Sequence, residues 1–284
     1  MCGISTASWT AISAARNSTA GGASRVAGAR IDVYLVVGGR YHDFDFARLE
    51  ILRLLNEHER IRVRVAESYD DVEAIGAADA LVSYTCDVRP EERQQQALAD
   101  FVACGGRWLA LHGTNSILQW TQEGKVDAPD IMPVLSRVLG SQFVAHPPLG
   151  EFEVKVSDPS HPLVRGIEDF KVTDELYLSD LYGPNKVLLE TRYNGKARGE
   201  FVRRQWFSDE PRPVLYLHDH GEGTVLYLTL GHCRGRYDMQ PLMEEYPQIE
   251  RCSWESPVYY ELLRRGIRWA TRLEQGDGAR RGGE

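Results

Sequence analysis

Four ionisable residues stand where a chain often places its chemistry, beside a glycine or past an apolar run. They are His42 in "GGRYHDF", His112 in "RWLALHG", Glu175 in "TDELYLSD" and His232 in "YLTLGH". An imidazole titrates near neutral pH and can act as general acid, general base or metal ligand, and a carboxylate can exchange protons with it. Together they suit proton transfer: His112 or His232 removes the proton, and Glu175 or His42 supplies one. Neighbouring residues are candidate substrate contacts: Arg40 and Tyr41 beside His42, Asn115 after His112, Trp120, His146 before two prolines, and Asp174 and Tyr177 around Glu175. On an extended segment Glu175 and Tyr177 share one face and Asp174 takes the other, so one of the two acids faces the site, with Glu175 preferred.

Plainer roles compete with these. His42 and His146 can brace turns, Trp120 can plug a loop rather than form a platform for a sugar ring or an aromatic substrate, and Asp43 is better placed to cap a helix than to catalyse. His161 reads as part of a turn. His218 and His220 share a strand face at a chelating spacing, but without a third ligand they are expected as exposed hairpin residues. No cofactor is indicated, and a zinc or manganese ion held by strand-end histidines and a carboxylate stays open.

The elements that would carry these residues alternate. "IDVYLVV" (31–37), closed by two glycines, is a buried strand. Phe46, Leu49, Leu52 and Leu55 recur at threes on a helix face. "IRVRVAE" (61–67) alternates like a half-exposed strand, and "DALVSYT" (79–85) is another buried one. "RPEERQQQALADFVACGG" has a proline near a helix start, acids in the first turn and glycines as a stop, and "RWLAL" (107–111) is the next strand. This order predicts a parallel sheet covered by helices, with ligands bound beyond the carboxyl ends of the strands. The segments 38–43, 85–87 and 112–115 would then meet along one edge.

The second half is strand-rich: "EFEVKVSD", "DELYLSD", "KVLLETRY", and a hairpin in "PVLYLHDHGEGTVLYLTLGH" turning at Gly221-Glu222-Gly223. A last helix runs from about Pro257 to Leu273. The whole reads as one α/β domain over 31–273 with a mainly parallel sheet and a β-rich elaboration. A flexible arm over 1–30 and a disordered tail over 274–284 flank it.

The composition bounds the partners. A net charge of −8, with no run of Lys or Arg longer than two, argues against nucleic acid or an anionic membrane surface. No apolar run approaches the roughly 20 residues of a membrane helix. Five cysteines, an odd number without CxxC, indicate neither a disulfide framework nor a thiolate zinc site and fit a reducing cytoplasm. A small-molecule substrate is the expected partner. Trp206, Trp254 and Tyr259, read as surface aromatics, leave a homo-oligomer open.

Four motifs, in order along the chain, resemble the ThuA-like (trehalose-utilisation) family: "VVGGRYHDF" (36–44), "YTCDVRPEERQQQALADFVACGGRWLALHG" (84–113), "HPPLGEFEVKVSDPSHPLVRGIEDFKVTDELY" (146–177) and "GTVLYLTLGH" (223–232). The resemblance implies a flavodoxin-like three-layer sandwich, similar to class I glutamine amidotransferases, and an association with disaccharide use through 3-keto sugars. It implies an enzyme that isomerises, eliminates or hydrolyses a keto-sugar-like substrate. A non-catalytic accessory protein with a degenerate cleft and a metal-dependent hydrolase remain as alternatives. In amidotransferases of this fold a nucleophilic cysteine follows the strand matching 107–111. His112 stands there instead, and Cys86 and Cys104 lie elsewhere, so glutamine hydrolysis by a thiolate is not expected. "MCGIS" at the start resembles a different class of amidotransferase with an N-terminal cysteine nucleophile, and is read as a chance match. Thr224, His218-Asp219-His220 and the insert "GTNSILQWTQEGKVDAPD" depart from the family pattern and put the substrate's identity in doubt more than the fold.

Overall fold

The computed structural model describes residues 28–273. The arm expected over 1–30, all but its last three residues, the tail over 274–284 and Cys2 lie outside them. The first half runs β1 (Ile31–Gly39), α1 (Phe44–Leu55), β2 (Ile61–Ala66), α2 (Val72–Ala77), β3 (Ala80–Cys86), α3 (Glu92–Ala103) and β4 (Arg107–Leu111). Next come β5 (Gln119–Trp120), β6 (Val126–Asp127), α4 (Pro133–Leu139), β7 (Ser141–Ala145), β8 (Gly150–Val156), β9 (Phe170–Asp174) and β10 (Leu178–Leu181). The chain ends with β11 (Asn185–Lys196), β12 (Gln205–His220), β13 (Gly223–Leu228) and α5 (Pro257–Ala270).

Nine strands form one sheet in the order β2-β1-β3-β4-β13-β12-β11-β8-β9. The first five are parallel and the rest antiparallel. The order 2-1-3-4 is that of flavodoxin-like doubly wound sheets. Alternation along β1 shows why it lies at the centre: Val33, Leu35 and Val37 enter the core shared with α1 and α5, while Tyr34 and Val36 enter the one shared with α2, α3 and α4. Two apolar faces require two helical layers, which makes the three-layer sandwich. A third cluster, with Phe143, Tyr177, Phe201 and Trp206, packs under the second-half strands.

Several expectations need correction. Trp206, Trp254 and Tyr259 are buried, so they are core rather than surface aromatics and give no ground for a dimer. Trp206 packs in the third cluster, and Trp254 and Tyr259 in the core under α5. His218 is buried too, its ring nitrogens 2.8 Å from Asn185 Oδ1 and 2.9 Å from Arg137 O, so it is neither an exposed hairpin residue nor a free ligand. "DELYLSD" is not one strand. The chain leaves the main sheet after Asp174 and joins β7 only from Leu178. The short helices α2 and α4 escaped the periodicity reading, although Asp71 caps the first by accepting from the Ala74 N–H.

Gly39, at the end of β1, has φ +121° and a Cβ built there would sit 1.9 Å from the Cys86 carbonyl oxygen. Backbone cannot move aside cheaply, so Gly39→Ala should cost about 3 kcal/mol or more. Gly124→Ala, at φ +71° with nothing within 4 Å, should cost only about 1 kcal/mol. Urea denaturation checks both, and equal losses would refute the close-approach argument.

Candidate functional site

Three strand ends deliver the histidines to one edge. After Gly39, Tyr41 at φ 74° turns the chain so that His42 is buried. Asp43 takes the plainer of its readings and caps α1 by accepting from the Phe46 N–H at 3.0 Å. After β4, His112 opens a 3-10 turn at φ 44°, a left-handed conformation that costs a non-glycine residue about 1 kcal/mol. The turn is held from below: Tyr227 donates to the His112 carbonyl at 2.6 Å and accepts from the Asn115 N–H at 2.9 Å. After β13, Gly231 at φ 126° directs His232 inward, and its carbonyl accepts from Tyr84 Oη at 2.7 Å and Trp254 Nε1 at 2.8 Å.

Glu175 arrives from beyond β9. The Asp174 carboxylate beside it does not face the site. It accepts from the N–H groups of Glu175 (2.7 Å), Gly231 (2.9 Å) and His232 (3.1 Å) and from the Ser253 hydroxyl. Glu175 and Tyr177 thus share the inward face, and Asp174 ties their segment to the one carrying His232.

The side chains of His42, His112, His232 and Glu175 converge, with one donor atom from each lying within 4.8 Å of all the others. His42 Nε2 is 2.9 Å from His112 Nε2, and Tyr177 Oη is 3.2 Å from that same atom. Glu175 Oε2 lies 3.2 Å from His232 Nδ1 and 3.8 Å from His112 Nε2. Glu175 Oε1 faces the other way, 3.6 Å from both His146 Nε2 and Arg234 Nη2. Behind the histidines, His42 Nδ1 is 3.2 Å from Arg40 O, His112 Nδ1 2.8 Å from Thr229 O, and His232 Nε2 2.8 Å from the Glu250 carboxylate.

These groups divide by charge. Burial raises the proton affinity of Glu175, but His146, His232 and Arg234 outweigh it and hold the carboxyl well below its usual range. Burial pushes His232 down, while Glu175 and Glu250 push harder and lift it to about 9. Burial holds His112 at about 4, against the pull of Asp174 and Glu175, and lowers His42 and His146 as well. The centre therefore pairs a carboxylate at Glu175 with an imidazolium at His232, beside the neutral rings of His42 and His112.

The other candidates divide. Tyr177 and His146 touch the centre. Arg40 contributes its carbonyl, and Tyr41 accepts from Trp120 Nε1 at 3.3 Å at a half-exposed rim. Asn115 lies behind the turn, donating to Ser141 Oγ at 2.7 Å. Tyr177 and Thr229 also line a surface pocket with Ser141, Ser179, Arg212 and Tyr216. Sequence reasoning missed Arg234 and Glu250. Arg234 pairs with Glu250 at 3.2 Å and donates to Tyr41 O at 3.0 Å, but the segment between them has no periodicity to announce the pairing.

Comparison with known proteins agrees with this architecture. A family model described as ThuA, trehalose utilisation, matches residues 33–245. A ThuA-like protein of Parabacteroides merdae superposes with a TM-score of 0.59 at 16% identity, covering 85% of this chain and 90% of that one. One from Bacteroides uniformis gives 0.60 at 14%, covering 87% and 94%. A β-galactosidase from Rahnella sp. R3 gives 0.52 at 12%, with 87% of this chain matching 31% of that enzyme. Among curated proteins none matches. Among the described residues no helix is long and apolar enough to cross a membrane.

Asp174→Asn keeps the shape but removes the charge behind its hydrogen bonds, and should lower stability by about 2 kcal/mol. Unfolding by urea checks it, and an unchanged midpoint would contradict the bracing role. In protein freed of divalent ions by chelator, the stability that His232 contributes should be complete below about 6.5 and lost as pH rises through about 9. The difference in melting temperature between wild type and His232→Gln, followed from pH 6 to 10, should shrink over that window. A constant difference would mean that His232 is not charged.

Proposed function

Because the chain belongs to the ThuA family of trehalose utilisation, we propose that it is an enzyme acting on a small carbohydrate that carries a carbonyl, by general acid/base proton transfer at the centre of His42, His112, Glu175 and His232. The observation that carries this reading is the buried pairing of Glu175 Oε2 with His232 Nδ1 at 3.2 Å, where basic neighbours hold the carboxyl low and the two glutamates lift the imidazole. Burying titratable groups is costly, and such groups with strongly shifted proton affinities gather where chemistry is done. A carbonyl acidifies the neighbouring C–H. Glu175, held ionised, takes that proton, and His232, held protonated, faces the oxygen on which negative charge develops.

These roles reverse the assignment suggested by sequence, in which His232 was a base and Glu175 an acid. The neutral rings of His42 and His112 and the Tyr177 hydroxyl orient the substrate, while Trp120 and Tyr41 offer an aromatic face at the rim. Isomerisation, elimination and hydrolysis of a 3-keto glycoside all begin with this step. Thiolate chemistry has no support, since burial pushes Cys233 up to about 12 and Cys86 well above its ordinary value. Free Cys86, Cys104, Cys233 and Cys252 favour a cytoplasmic setting, and the net charge of −8 disfavours nucleic acid.

The test is incubation with a panel of 3-keto glycosides in deuterated buffer, followed by NMR. Exchange at the carbon beside the carbonyl, or product formation, is expected, with Glu175→Gln slower by roughly 100-fold or more. Calorimetric binding of the sugar without exchange or product would instead mean an accessory binding protein.

A further inference from the structure

The backs of the three histidine rings decide what their fronts present. A carbonyl oxygen can only accept, so His112 Nδ1, 2.8 Å from Thr229 O, and His42 Nδ1, 3.2 Å from Arg40 O, both carry hydrogens. A neutral ring with its hydrogen on Nδ1 presents a lone pair at Nε2, and these two Nε2 atoms are 2.9 Å apart. Two lone pairs at that distance repel unless something positive lies between them. A second proton on either ring would add a charge where His112 is fully buried and His42 nearly so.

His232 repeats the pattern. Its Nε2 is 2.8 Å from the Glu250 carboxylate, which fixes a hydrogen there. Its Nδ1 is sealed from solvent and makes no aligned hydrogen bond, although Glu175 Oε2 is 3.2 Å away. Nitrogen and oxygen are therefore close neighbours at the mouth of the same cluster as the two Nε2 atoms, without the alignment of a donor and its acceptor. Histidines braced from behind by carbonyls and a carboxylate are the arrangement that orients metal ligands.

We propose that His42 Nε2, His112 Nε2, His232 Nδ1 and Glu175 Oε2 bind one divalent first-row transition-metal ion. Two ligand atoms each 2.0–2.1 Å from an ion stand roughly 2.9–3.4 Å apart for angles between 90° and tetrahedral. The 2.9 Å between His42 and His112 and the 3.2 Å between His232 and Glu175 fall in that range, the 3.8 Å from His112 to Glu175 suits a wider angle, and the widest pairs of the cluster, up to 4.8 Å apart, draw in by some tenths of an ångström on binding. Three imidazoles and one carboxylate favour zinc, iron, cobalt or nickel and disfavour magnesium and calcium, which prefer all-oxygen sites.

The ion displaces the His232 Nδ1 proton and supplies the positive charge that balances Glu175 and Glu250. It rests on the carbohydrate reading only for its use in turnover, where it would polarise the substrate oxygen in place of that proton. Glu175 Oε1, turned toward His146 and Arg234, stays free to accept a proton.

The full-length protein, chelated and dialysed, should take up one equivalent of Co2+ or Zn2+ by mass spectrometry of the metal, with visible Co2+ bands and a raised melting temperature. His42→Gln and His112→Gln should each weaken Co2+ binding by more than roughly 100-fold, and Glu250→Gln by roughly 10- to 100-fold. His218→Gln, a buried histidine outside the cluster, should bind as wild type and controls for folding damage. No stoichiometric uptake by folded wild type, or wild-type affinity in both His42→Gln and His112→Gln, would overturn the inference. Full keto-sugar turnover by metal-free protein would overturn the ion's role while leaving the proposed function standing. A bound ion without any turnover would do the reverse.

Discussion

Everything at this site follows from one buried negative charge. Glu175 is 4% exposed and ionised, and an isolated carboxylate in such a place would neutralise itself by taking a proton. It does not, because His232 and Arg234 lie within reach and Glu250 anchors both of them on their far sides. Removing any one of these leaves a charge without its partner, which is worse than never having buried the group. The cluster stands or falls as a unit, and the neutral rings of His42 and His112 complete it.

The fold supplies what that unit needs at the ends of parallel strands. β1, β4 and β13 each stop at the same edge, and each is followed by a residue with positive φ: Tyr41, His112 and Gly231. Such conformations cost energy at a non-glycine residue and persist only where the surroundings hold them. Here Tyr227 clamps the His112 turn, and Tyr84 and Trp254 clamp Gly231. Asp174 then links the turn from β13 to the segment from β9 through backbone N–H groups. The hydrogen bonds that hold the turns thus also hold the segments that carry the buried charge.

Much of this was legible in the residues. Apolar runs closed by glycines marked β1 and β4, and the rule that ligands gather beyond parallel strand ends brought His42 and His112 together, while His232 stood out only as a strand-end residue after Gly231 in a motif that resembles the family. The alternation of "TDELYLSD" put Glu175 and Tyr177 on one face, which survived even though the segment is not one strand. What stayed hidden was long-range. Nothing near Arg234 or Glu250 signals that they meet around His232, and an Asp174 that accepts from distant backbone looks in sequence like any strand-end acid. Trp206, Trp254 and Tyr259 misled for a related reason: an aromatic without a periodic neighbourhood reads as surface until the packing that covers it is seen.

Cobalt-edge anomalous diffraction from a crystal of the chelated protein soaked in Co2+ tests the convergence of these four side chains most directly. A single strong peak should appear within bonding distance of His42 Nε2, His112 Nε2, His232 Nδ1 and Glu175 Oε2, with the rings still held by Thr229, Arg40 and Glu250. A peak confined to surface residues, with nothing between the two Nε2 atoms, would contradict the account.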